Sequence, residues 1–124
     1  MSAPTLRVLF ALGINQNFFD LPSDRIGEVW VAFSGFLTEM REMPGVDVLG
    51  DMDDDAHQVG PSEGWPWTAY VLADVVDQPT VRAVCNLLRT TGVGDGTYKL
   101  WKYAKIEARM GRPLTVREDV KLPA

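Results

Sequence analysis

Two stretches of helical periodicity, Ile26 to Met43 and Val81 to Leu88, each lie between stretches that read as strands. The order strand, helix, strand, strand, helix, strand constrains the fold of this chain more than any other feature. In the first stretch Ile26, Val29, Trp30, Phe33, Leu37, Met40 and Met43 recur at steps of three and four, while Arg25, Glu28, Glu39 and Arg41 fall elsewhere. That spacing gives one apolar side to a helix. Ser23 is the predicted N-cap, Asp24 and Glu28 suit the positive end of the helix dipole, and Pro44-Gly45 stops the helix. In the second stretch Pro79 suits the first helical turn, Val81, Val84, Cys85 and Leu88 form the stripe, and the glycines from Gly92 to Gly96 end it.

Leu6 to Ile14 is too apolar for a solvated edge and too short for a helix, so it reads as a buried central strand. Val46 to Gly50 reads as a second strand running into an acidic cluster, and 60–64 break the chain before a hairpin partner from Trp67 to Val76. Tyr98 to Arg109 alternates, with Trp101, Tyr103, Lys105, Glu107 and Arg109 on one side. The tail from Gly111 reads as extended. The whole is the βαββαβ unit of a ferredoxin-like α+β domain, a four-stranded antiparallel sheet with both helices on one face. Trp65, Trp67, Tyr70, Trp101 and Tyr103 exceed what one helix layer accommodates, which predicts that they line the bare face and that a second copy covers them as a homodimer.

With 124 residues, 46% of them hydrophobic, the chain fits one domain, residues 1–124, able to bury a core without metal or disulfide. A lone cysteine, Cys85, and the lack of an apolar segment behind a basic start predict a cytoplasmic protein. The longest uncharged apolar stretch, Val29 to Leu37, falls far short of the ~20 residues that span a bilayer. A net charge of -5, with Asp51, Asp53, Asp54 and Asp55 clustered, disfavours a phosphate backbone as partner, so neither membrane nor nucleic acid is expected.

His57, the only histidine, is the candidate general acid or base, with Asp54 and Asp55 placed to raise its pKa and orient it; the plainer reading is an exposed loop histidine. Asp51, Asp53 and Asp55 alternate as in a calcium loop, but Ala56 holds the sharp-turn position and Ser62 that of the terminal glutamate. One histidine and one cysteine make a zinc site unexpected, and no metal or other cofactor is predicted. Gly92, Gly94 and Gly96 follow a helix and precede a strand, the reverse of a dinucleotide loop. Cys85 lies on a helix stripe, where an inert buried thiol is the plain reading. Trp67, Tyr70, Trp101 and Tyr103 offer flat apolar faces with polar tips, suited to a planar ligand, and Asn15, Asn17, Glu107 and Arg109 supply polar groups. The same rings equally suit a subunit interface.

Gly-Ile-Asn-Gln-Asn-Phe-Phe-Asp (13–20), Met-Asp-Asp-Asp (52–55), Gly-Trp-Pro-Trp-Thr-Ala-Tyr (64–70), Cys-Asn-Leu-Leu-Arg-Thr-Thr (85–91) and Leu-Trp-Lys-Tyr (100–103) resemble a small bacterial family. This is the IacB-like family, whose members accompany indole-3-acetate degradation genes. More broadly, the order of elements is similar to the dimeric α+β barrel superfamily, which includes EthD-like proteins, muconolactone isomerases and cofactor-free monooxygenases. The resemblance implies a dimer with a cavity between sheet and helices. It assigns no catalytic residue, and the architecture hosts unrelated chemistries.

Two functions follow as expectations. One is a cofactor-free isomerase, tautomerase or monooxygenase-like enzyme acting on an aromatic or indolic intermediate, with His57 or Asp54 as base. There Trp67, Tyr70, Trp101 and Tyr103 hold the ring, and Asn15 or Asn17 stabilises enolate charge. The other is a non-catalytic binding or accessory protein for an unstable intermediate, using the same pocket. A purely structural dimer is the third, plainest reading.

Overall fold

The computed structural model describes residues 5–55, 59–60 and 66–114, which leaves His57 and Trp65 outside the described residues. Strand β1 (Leu6–Ile14) leads through a single helical turn, α1 (Gln16–Phe19), into the long helix α2 (Ser23–Glu42). Strands β2 (Val46–Asp53) and β3 (Ala69–Val75) follow, then helix α3 (Gln78–Thr90). A two-residue ladder, β4 (Gly92–Val93) with β5 (Tyr98–Lys99), precedes a 3-10 turn at Leu100–Lys102 and the last strand, β6 (Ala104–Gly111). The main sheet has four strands in the order β2-β3-β1-β6, and every neighbouring pair is antiparallel. The fold is α+β.

Alternation along β1 decides where the core sits. Val8, Phe10 and Leu12 are buried on one face, with Val71, Ala73 and Val75 of β3 beside them. Val29, Ala32, Phe36 and Met40 of α2 and Val81, Val84 and Leu88 of α3 complete the same cluster. On the opposite face Leu9 lies directly across from Leu72, and Arg7 from Asp74. The last two form a two-pronged ion pair at 2.6 and 3.2 Å. Arg7 holds the Asp74 carboxyl below its usual range by hydrogen bonding and charge.

The helix ends differ in one respect from expectation. Ser23 begins α2 and does not cap it; Pro22 occupies the N-cap and no side chain bonds there. In α3 Asp77 caps: it accepts from the Thr80 N–H at 2.9 Å and the Thr80 hydroxyl at 2.5 Å, and Pro79 stands in the first turn. The turn behind α2 requires glycine: Gly45 has φ +85, and a Cβ there would meet Val76 Cγ1 at 2.5 Å.

The predicted last strand is a correction. Tyr98 to Arg109 is not one strand, because the 3-10 turn interrupts it, and only Lys105, Glu107 and Arg109 share the open face. The three-residue period of that turn brings Leu100 and Tyr103 to one side, and both are buried in the core. Trp101 points the other way and leaves the sheet altogether. The open face therefore carries Leu9, Leu49, Met52 and Leu72 with Tyr70, and Trp67 at one end, so of the expected aromatic set Tyr70 and Trp67 are there and Trp101 and Tyr103 are not.

Candidate functional site

Helix α2 is apolar over more than the width its core needs. Val29, Ala32, Phe36 and Met40 reach the main cluster, while Trp30, Phe33 and Leu37, one position further round, form a second line beside it. This second line walls a cavity of about 420 Å³ against the sheet. Leu12 and Ile14 of β1 and Ala69 and Val71 of β3 form its floor, and Phe18 and Phe19 of α1 close one end. The size lies within the range of small-molecule pockets.

The rings meet edge to face. Phe18 lies 5.4 Å from Trp30 at 77°, Trp30 lies 6.2 Å from Phe33 at 82°, and Phe18 lies 5.3 Å from Phe19 at 80°. Trp30 is nonetheless 50% exposed and Phe19 64% exposed, so large apolar area faces water where the cavity opens. Asn15 and Asn17 fix α1 by donating their side-chain amides to the Lys102 carbonyl at 3.2 and 3.0 Å. The Asn15 backbone N–H donates to the Tyr103 carbonyl at 2.8 Å.

The polar wall comes from a register shift in β2. Val46 pairs with Val75 and Val48 with Ala73, both on the helix face, but Gly50 then pairs with Leu72 on the open face, leaving Leu49 as the extra residue of a β-bulge. Beyond it Asp51 pairs with Val71 and Asp53 with Ala69, so both aspartates stand on the helix face and line the cavity. Unbroken alternation would put Gly50 and Met52 there instead. Arg41 of α2 pairs with Asp51. Among the described residues Asp53 has no hydrogen-bond or ion-pair partner, and no lysine, arginine or histidine lines the cavity.

Of the described residues expected from sequence to form a site, only Tyr70 borders this cavity, while its register with Ala11 and Met52 puts its side chain on the open face, where the hydroxyl donates to the Asp54 carboxylate at 3.1 Å. The other described ones lie elsewhere, and His57 is outside the described residues. Asn15 and Asn17 are occupied with the Lys102 carbonyl. Trp67 has the Lys105 ammonium 5.3 Å from its ring, and Trp101 has the Arg89 guanidinium at 5.0 Å. Tyr103 is 3% exposed inside the core, which corrects its placement on a ligand-facing surface. The structure thus does not gather Trp67, Tyr70, Trp101 and Tyr103 around one ring. The residues that sequence reasoning missed are Phe18, Phe19, Trp30, Phe33, Asp51 and Asp53. Their signal was present in the adjacent Phe18-Phe19 pair and in the double stripe of α2.

Burial pushes the Cys85 thiol up, the direction opposite to that of an activated nucleophile. No group of three or more histidine, cysteine or acidic residues among the described residues is arranged to hold a metal ion. No helix among the described residues is long and apolar enough to cross a membrane. What the site offers chemically is an aromatic-walled slot with carboxylates along one edge. Comparison with family models, curated proteins and solved structures returns no match.

Proposed function

We propose that the protein binds an aromatic small molecule in the cavity between α1, α2 and the sheet, and that it serves bacterial catabolism of indolic compounds as a binding or accessory protein. The observation that carries this reading is the cavity of about 420 Å³ walled by Phe18, Phe19, Trp30 and Phe33, with half of Trp30 left exposed. Such rings are far costlier to leave in water than to cover with a planar ligand. The connection to indole-3-acetate degradation rests on the resemblance of the sequence segments quoted above. Titration calorimetry with indole, tryptamine and indole-3-acetate tests the reading: saturable heat that Trp30→Ala and Phe33→Ala each weaken at least tenfold supports it. Absence of heat from all three ligands overturns it.

A catalytic reading has one observation in its favour. The Tyr70 hydroxyl donates to the Asp54 carboxylate, a proton donor and acceptor joined at a residue that borders the cavity. In that reading a cofactor-free isomerase or tautomerase uses Asp54 or His57 as its base. Turnover of an indolic ketone or enol followed by proton NMR, abolished by Asp54→Asn, would support it over simple binding.

The strand order β2-β3-β1-β6 within a βαββαβ succession supports assignment to the ferredoxin-like architecture. On the open face we place a second copy of the chain. Leu9, Leu49, Met52 and Leu72 are 36–54% exposed there. The Arg7–Asp74 and Arg109–Glu107 pairs flank them with both signs of charge, as a self-complementary twofold contact needs.

A further inference from the structure

The bulge at Leu49 carries a consequence for ligand charge. Edge strand β2 has two sets of side chains to offer the cavity, Gly50 with Met52 or Asp51 with Asp53. Met52 would extend the apolar wall made by Leu37, Ile14 and Val71. The bulge instead turns the two aspartates inward, while Met52, 54% exposed, stands in register with Tyr70 on the open face and meets the cavity only as a bordering residue, like Tyr70. Bulges recur beside functional sites because they re-aim side chains in this way.

The charges along that edge do not cancel. The Arg41 guanidinium pairs with Asp51 and so leaves Asp53 as an uncompensated carboxylate. The next residue, Asp54, accepts from Tyr70 on the open-face side and does not line the cavity, so Asp53 is the carboxylate left to a ligand. The rings of Trp30 and Phe33 line the same cavity, and aromatic faces attract cations and not anions. A slot lined by aromatic rings and an uncompensated carboxylate suits an aromatic group bearing an ammonium. An aromatic carboxylate placed in the same slot meets like charge, and Arg41 is already engaged.

We propose that the cavity takes an aromatic ligand carrying a cationic nitrogen, of the arylalkylamine class, in preference to an aromatic carboxylate. This proposal rests on the reading of the cavity as a ligand site and adds its charge selectivity. Attraction of a cation and repulsion of an anion by partly exposed carboxylates together correspond to about a tenfold difference in affinity.

Titration calorimetry at low salt and neutral pH compares tryptamine, indole and indole-3-acetate, three ligands that share one ring and differ in charge. Tryptamine is expected to bind about tenfold more tightly than indole-3-acetate, with indole between them, and the gap narrows as salt is raised. Asp53→Asn is expected to shrink the ratio by at least threefold. Asp51→Asn, which frees Arg41, is expected to raise the affinity for indole-3-acetate. Equal binding of tryptamine and indole-3-acetate, or a ratio that neither variant changes, overturns the charge selectivity while leaving the cavity a ligand site. Failure of all three ligands to bind overturns the site itself.

Discussion

Phe18 of the short helix α1 meets Trp30 of α2 edge to face, with ring centroids 5.4 Å apart. Phe18 is buried, whereas Trp30 is half-exposed, so the pair joins the core to the open end of the cavity. One ring secures the wall and the other presents it.

This division predicts different penalties for similar truncations. Phe36→Ala removes a fully buried ring from the main cluster and is expected to cost about 3–5 kcal/mol in denaturant unfolding. Trp30→Ala, at a half-exposed position, is expected to cost only about 1–2 kcal/mol while lowering aromatic ligand affinity at least tenfold. Equal destabilisation by the two substitutions would contradict the division.

The open face gives a prediction about assembly. Leu9 and Leu72 face each other across β1 and β3 at the centre of that face. Leu72→Glu is expected to convert a dimer into a folded monomer in sedimentation equilibrium, with far-ultraviolet circular dichroism unchanged. A monomer already present in the unsubstituted protein at micromolar concentration would contradict the proposed contact.

Acid sensitivity follows from three carboxylates held below their usual range. Arg7 lowers Asp74, the Thr80 hydroxyl and N–H lower Asp77, and the Thr97 N–H lowers Asp95. A group with a depressed folded pKa stabilises the fold above its unfolded value, about 3.9 for aspartate, and that contribution disappears as pH falls through the folded value. Thermal stability is therefore expected to fall as pH drops below about 4, and Asp74→Asn is expected to flatten the decline. At neutral pH Asp77→Ala lowers Tm, and Asp77→Gly lowers it less, because glycine is the better of the two at an N-cap. An unaltered acid profile in Asp74→Asn would contradict the role given to the Arg7 pair.

The order of elements was legible because periodicity survives in single segments. Leu6 to Ile14, the stripe of α2 and the stripe of α3 each bury the side that their spacing marks. Two local events were not legible, and both change which side a residue faces. The extra residue at Leu49 inverts the alternation of β2 from there to Asp53, and nothing in Val-Leu-Gly-Asp announces it. The turn at Leu100–Lys102 replaces a period of two by a period of three, which sends Tyr103 into the core and Trp101 away from the sheet. The cavity is not legible for a related reason: Trp30 and Phe33 fit one helical stripe in the sequence, whereas α2 presents two adjacent apolar lines. His57 lies outside the described residues.

The side-chain indole N–H resonances report whether the slot beside Trp30 receives the ring of a ligand. The chain contains four tryptophans, of which only Trp30 lines the cavity among the described residues. In nitrogen-15 correlation spectra titrated with indole and then with tryptamine, the Trp30 indole signal is expected to move in a saturable manner. The Trp67 and Trp101 signals are expected to stay in place. Saturable movement of Trp67 or Trp101 with Trp30 unmoved would place the ligand elsewhere and contradict the account.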